Sequence, residues 1–135
     1  MLDKKVMHVM RKGAFTCTED ATLKDVAQIM TINNIRYCVV VNDQHEILGV
    51  ISARSILRGF GKDHEQTTAG NILLPYTVTI GPNTPVEEAV DLMSRKKIEH
   101  LIVIPDRPGA RAILGMLHVE EIVDKMASGW ENGKK

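Results

Sequence analysis

The sequence predicts an α+β fold: two β-α-β-β-α repeats related by a pseudo-twofold axis. Three observations carry this. Leu23 to Val41 (LKDVAQIMTINNIRYCVVV), moved 63 places along the chain, falls on Val86 to Ile104 (VEEAVDLMSRKKIEHLIVI). Val26 lands on Ala89, Met30 on Met93, Ile35 on Ile98 and Val39 on Ile102. Beyond that block, Phe15-Thr16 meets Val78-Thr79, and Leu48-Gly49-Val50-Ile51 meets Leu114-Gly115-Met116-Leu117 after a three-residue insertion. Within each copy, a stretch of helical apolar spacing is followed by β-branched runs. A repeat of this length sets the fold before any single motif does, and two copies imply a cleft between them.

The elements follow in order. Each copy opens on a short apolar lead-in, Val6 to Met10 and Ala69 to Leu73, and then a short strand, Ala14 to Thr18 and Tyr76 to Ile80. A helix comes next. Thr22-Leu23-Lys24-Asp25 reads as a capping box with the shorter acid, and Thr84-Pro85-Val86-Glu87 as a capping box with proline at the first helical position. Polar or basic residues end the helices near Asn33-Asn34 and Arg95-Lys96-Lys97. Strands follow at Tyr37 to Val41 and Leu101 to Ile104, turned by Asn42 to Glu46 and by Pro105 to Arg111. The returning strands are Ile47 to Ile51 and Ala112 to Leu117, each leading into a second helix, Ser52 to about Phe60 and Val119 to about Met126. Gly61 to Thr68 is the linker. The expected division is residues 1–66 and 67–135, with a frayed tail after Ser128 whose lone Trp130 could pack on a partner.

Composition narrows the function. With 135 residues, 44% of them apolar but only one Trp, two Tyr and two Phe, the chain has one domain's worth of aliphatic core. The 17 basic and 17 acidic residues cancel, which argues against broad nucleic-acid or anionic-membrane binding. No apolar run approaches the ~20 residues of a membrane helix, and Asp3, Lys4, Lys5 and His8 interrupt any signal-peptide pattern. Cys17 and Cys38 sit in apolar strand segments and read as buried reduced thiols. The expected location is the cytoplasm. The seven Met residues fall mostly at helical core spacing and read as core filling.

The ordered set Val6-Met7-His8-Val9-Met10, the capped amphipathic helix, Ile35-Arg36-Tyr37-Cys38-Val39-Val40 and Gly49-Val50-Ile51-Ser52, repeated downstream, resembles a tandem pair of CBS domains, the Bateman module. The resemblance covers roughly Val6 to Met126. It implies a free-standing regulatory module that binds AMP, ADP, ATP or a related adenosyl compound, requires no cofactor, and pairs into a homodimer.

The resemblance also implies where a ligand would sit. Its signature is Gly-apolar-apolar-Thr/Ser-x-x-Asp/Asn: a hydroxyl and free backbone N–H groups at a helix start receive phosphate, and a carboxylate one turn later accepts the ribose hydroxyls. Copy one keeps the hydroxyl at Ser52 and a basic residue at Arg54, but has Ser55 in place of the acid. Copy two has His118 for the hydroxyl and Glu121 for the acid. A protonated histidine can bond phosphate; equally, Ser52 and His118 can be plain helix-start residues and Arg54 a solvated one. The adenine pocket implied by the family takes Thr16, Cys17, Arg36 and Tyr37 from copy one, beside the core residue Ile35, and Thr79, Ile80, Ile98, Glu99 and His100 from copy two. Tyr37 and His100 match in position and can stack on a base or bond within the fold. Arg54 could also reach phosphates of a ligand shared between the copies.

His100, His118 and Glu121 are types suited to zinc, but no close-spaced pair supports a metal site and none is expected. No catalytic constellation is visible, so the chain reads as a non-enzyme. Two functions remain: an adenosyl-ligand sensor signalling to an unidentified regulated protein, and an interaction or dimerisation module whose clefts are degenerate. Of the two clefts, the second is favoured, because Glu121 retains the carboxylate.

Overall fold

A computed structural model of the chain describes residues 4–74, 77–109 and 112–129. Trp130, Tyr76 and the Arg111 end of the second turn lie outside the described residues. The elements run α1 (Val6–Val9), β1 (Arg11–Lys12), β2 (Thr16–Thr18), α2 (Leu23–Asn33), β3 (Tyr37–Val41), β4 (Ile47–Ser52), α3 (Ala53–Leu57), α4 (Ala69–Ile72), β5 (Thr79–Ile80), α5 (Val86–Lys96), β6 (His100–Val103), β7 (Gly115–His118) and α6 (Val119–Ala127). They form two compact units, a central one of Phe15–Thr77 and a terminal one of Met1–Ala14 with Val78–Lys135.

In the central unit β2, β3 and β4 form a three-stranded sheet, with β2 parallel and β4 antiparallel to β3. Helix α2 starts where the sequence places it: the Asp25 N–H donates to Thr22 Oγ1 and the Thr22 N–H to Asp25 Oδ2, both at 3.1 Å. Its stripe of Leu23, Val26 and Met30 is buried against Cys17, Cys38, Val40 and Ile51 on one face of the sheet. Asn34 ends the helix in the left-handed region, φ 54°, a conformation its short polar side chain tolerates. Helix α3 stops at Leu57, earlier than the expected Phe60, and successive turns carry the chain on.

The terminal unit repeats this plan with β5, β6 and β7. Val86, Ala89 and Met93 of α5 pack on Leu101, Val103 and Leu117. Complete burial of Leu101 and Leu117 contributes about 1.5–3 kcal/mol each relative to exposure. Here the expected capping box does not form. Pro85 is the N-cap and makes no side-chain bond, while the Thr84 carbonyl accepts the Val6 N–H at 2.8 Å and the Val86 N–H donates to Lys4 at 3.0 Å. Backbone from the start of the chain replaces the threonine hydroxyl. Acidic residues in the first turn of α5 and basic ones in the last suit its dipole.

These contacts expose the main topological feature. The lead-in of each copy is built into the other copy's unit: Val6 and Val9 sit in the core with Val86 and Ala89, and Ala69 and Ile72 in the core with Leu23 and Val26. Arg11 and Lys12 pair with Met116 and Gly115, making the terminal sheet four-stranded where three strands were expected. Among the described residues, the equivalent Leu74 bridges Val50.

The same crossing explains two glycines. A Cβ on Gly115 would stand 2.5 Å from the Arg11 carbonyl oxygen, and one on Gly49 would collide with the Leu74 carbonyl. The glycine that opens each Gly-apolar-apolar motif therefore admits the incoming lead-in backbone.

Candidate functional site

Strand alternation decides which of the expected site residues meet. In the central unit the register pairs Tyr37 with Ser52, Val39 with Val50 and Thr16 with Val39, placing Thr16, Tyr37 and Ser52 on the sheet face opposite the helices. In the terminal unit His100 pairs with His118, Ile102 with Met116 and Thr79 with Ile102, placing Thr79, His100 and His118 on the equivalent face. Cys17 and Ile80 fall on the other face. Cys17 belongs to the central core beside Cys38, and Ile80 packs against the terminal core. The two thiols are buried, unlinked and hydrogen-bonded to one another, which, with burial, pushes the Cys38 thiol up and holds it protonated.

At each strand-to-helix junction the signature residues bond to one another. Ser52 Oγ accepts the Ser55 N–H at 3.1 Å, and Ser55 Oγ accepts the Ser52 N–H at 3.2 Å. In the terminal unit Glu121 Oε1 accepts the His118 N–H at 2.6 Å, and His118 Nδ1 accepts the Glu120 N–H at 3.1 Å. His118 thus caps α6 in the role Ser52 takes for α3. Burial raises the Glu121 pKa, opposed by the bond from His118 and by the charges of His118 and Arg11. Burial lowers that of His100, helped by the charge of His118 across the strands. Both shifts favour the uncharged side chains.

Arg36 and Glu99 stand at matching places just before β3 and β6. The Ala53 N–H donates to the Arg36 carbonyl at 2.7 Å, and the Val119 N–H to the Glu99 carbonyl at 2.9 Å. These bonds tie the backbone before β3 to the start of α3, and the backbone before β6 to the start of α6. Arg36 borders a cavity of about 280 Å³ that also touches Met30, Thr31, Asn34, Ile35 and Ala53. The terminal counterpart, about 190 Å³, is lined by Val90, Met93, Ser94, Ile98, Val119 and Ile122. Sequence reasoning did not single out Thr31, Asn34 or Ser94. The signal that finds them is helical spacing, since Thr31 and Ser94 follow Ala27 and Val90 by one turn and match under the repeat. No group of three or more side chains able to hold a metal occurs among the described residues. Nor is any helix among them long and apolar enough to cross a membrane.

The CBS domain pattern matches residues 6–62 and again 69–128. The chain belongs to the CBS domain family. A CBS domain-containing protein of Arabidopsis thaliana, CBSX3, mitochondrial, is 32% identical over 114 residues, covering 79% of this chain and 53% of that protein. This CBS pair therefore spans about half the length of that relative. Among solved structures, the CBS domain pair of protein MJ0100, in complex with 5′-methylthioadenosine and S-adenosyl-L-methionine, is 20% identical with a TM-score of 0.82 over 93% of this chain and 98% of that one. An uncharacterized conserved protein from Pyrococcus horikoshii is 16% identical at the same TM-score, over 93% and 94%. At these identities the likeness is one of fold, and it establishes the tandem CBS architecture.

Proposed function

We propose that this CBS pair is a regulatory module that binds an adenosine-containing ligand at a strand-to-helix junction and signals its presence to a protein partner. One observation carries the reading. The polar cross-strand pairs Tyr37–Ser52 and His100–His118 recur at the same junction in both units of a fold that, in the MJ0100 pair, holds two adenosyl compounds. The terminal junction is the favoured site. The Glu121 carboxylate accepts one bond from His118, and its remaining lone pairs can take ribose hydroxyls. Signalling requires that the ligand favour one arrangement of the protein over another, which the partner then reads.

A thermal-shift panel of AMP, ADP, ATP, S-adenosylmethionine, 5′-methylthioadenosine and NAD tests the proposal. A ligand at a hundred times its Kd adds about 2.7 kcal/mol. A flat panel across all of them ends the reading.

A second reading is favoured by a different observation. Ile32, Leu57 and Phe60 are 79%, 69% and 75% exposed around a groove of about 770 Å³ between α2 and α3. Apolar surface of this kind marks an association face, and we infer a homodimer built on it. The signature side chains already cap their own helices, which supports a module acting through that face with its clefts unused.

A further inference from the structure

The terminal unit is assembled from two pieces of chain. The central unit is one continuous segment, Phe15–Thr77, and carries the lead-in helix Ala69–Ile72 within it. The terminal unit joins Met1–Ala14 to Val78–Lys135, so the whole central unit separates its lead-in from the rest of its core.

That lead-in, α1 followed by β1, is a strap. Val6 and Val9 are buried in one core with Val86, Ala89, Leu101 and Leu117. The strap's backbone is held along its length. The Val86 N–H donates to the Lys4 carbonyl at 3.0 Å, the Val6 N–H to Thr84 at 2.8 Å and the Met7 N–H to Pro82 at 3.0 Å. Arg11 and Lys12 then pair with Met116 and Gly115. Gly13 and Ala14 tie the strap to the central unit. The Gly13 N–H still donates to the Leu114 carbonyl at 2.8 Å, while the Phe15 carbonyl already accepts the Val39 N–H at 3.0 Å. The turn falls at Gly13, φ 73°, where an added Cβ would meet nothing within 4 Å. Backbone conformation holds this turn rather than packing, and glycine leaves it for negative φ at no steric cost.

We propose that the strap is exchangeable between molecules: the terminal unit takes the lead-in of a second copy in place of its own, and reciprocal exchange closes a two-fold dimer. The acceptor reads backbone hydrogen bonds and the side chains of Val6 and Val9, which a second copy supplies identically. The difference in free energy between own and exchanged strap is therefore confined to the hinge and to the entropy of joining two molecules. Short hinges invite such swapping. The other lead-in is no substitute, because it offers Ala69 where the strap offers Val6 and is itself buried in the central core. The exchange uses neither a ligand nor the Leu57–Phe60 face, so it goes beyond both readings above.

Complementation between two full-length variants tests it. Val6→Asp spoils the strap and leaves the acceptor intact. Gly115→Val blocks the acceptor, since a side chain there meets the Arg11 carbonyl, and leaves the strap intact. Each variant alone should lose the protease resistance of its terminal unit. Incubated together they should recover it, each mixed pair holding one intact terminal unit. Pairing through the Leu57–Phe60 face restores no strap and gives no such recovery. A mixture no more resistant than its components overturns the exchange. The hinge supplies a second measurement, made in the Phe60→Glu background by light scattering. Gly13→Val strains the left-handed turn of the unexchanged chain and should raise the dimer-to-monomer ratio about fivefold or more. Gly13→Asn, which tolerates that turn, should leave the ratio near its starting value. If Val6→Asp or Gly115→Val cannot be purified folded, a ratio unmoved by Gly13→Val overturns the proposal in their place.

Discussion

The backbone N–H of His118 donates to Oε1 of Glu121 at 2.6 Å, so the carboxylate that could receive a ribose also closes the first turn of its own helix. Two roles meet on one side chain, and two measurements separate them. Glu121→Ala should cost about 1 kcal/mol of stability as a lost cap, read from a urea midpoint. Under the adenosyl-binding proposal it should also cost about 1.5–3 kcal/mol of ligand affinity, the range for hydrogen bonds to a charged group. Ser55→Ala should lower stability by a similar cap energy and barely change affinity. Ligand binding by Glu121→Ala equal to that of the wild type would remove the terminal site assignment.

Gly49 and Gly115 lie where lead-in backbone crosses the returning strand. A methyl group at either must push against a carbonyl oxygen, and backbone yields poorly. Gly49→Ala and Gly115→Ala should each cost about 1–3 kcal/mol, the range for overpacking, with no dependence on added ligand. A midpoint unchanged by both substitutions would show that the lead-ins pack elsewhere.

His100 links stability to pH. Burial, with the charge of His118 second, lowers its pKa from the ordinary 6.5. Between the lowered value and 6.5 the unfolded chain binds the proton and the folded one does not, so stability rises with pH through that window and falls as the solution is acidified. His100→Tyr, which installs the residue of the equivalent position in copy one, should flatten this slope. Chemical denaturation between about pH 5 and 8, the range in which histidine titrates, reads it. An unchanged slope in the variant would assign the dependence to other groups.

Leu57 and Phe60 present apolar surface to solvent beside α2. If this is the dimer face, light scattering should give twice the chain mass at micromolar concentration. Phe60→Glu should shift the population to monomer, with its melting curve otherwise folded and cooperative. A monomeric wild type at that concentration would count against the face.

Legibility in the sequence followed the range of the interaction. The Thr22–Asp25 box, the Asn34 terminus and the β3 run Tyr37–Val41 were readable because each is settled within a few residues. The Thr84 box was misread because Val6 and Lys4, far away in sequence, supply the backbone partners at that helix start. Thr16 and Cys17 could not be assigned to faces until the pairing of β2 with β3 was known, since a shift of one residue exchanges them.

The sequence by itself determined that there are two copies of one β-α-β-β-α string and which faces of α2 and α5 are apolar. Those are matters of periodicity and residue type. Only the tertiary structure decided that each lead-in serves the other copy's unit, that Gly49 and Gly115 answer to a neighbouring carbonyl, and that Thr79, His100 and His118 share a face. The reason is physical. These outcomes depend on pairing between distant segments such as Arg11 and Met116, whose free energy comes from burial and hydrogen bonds made only on folding, and local propensity carries no record of them.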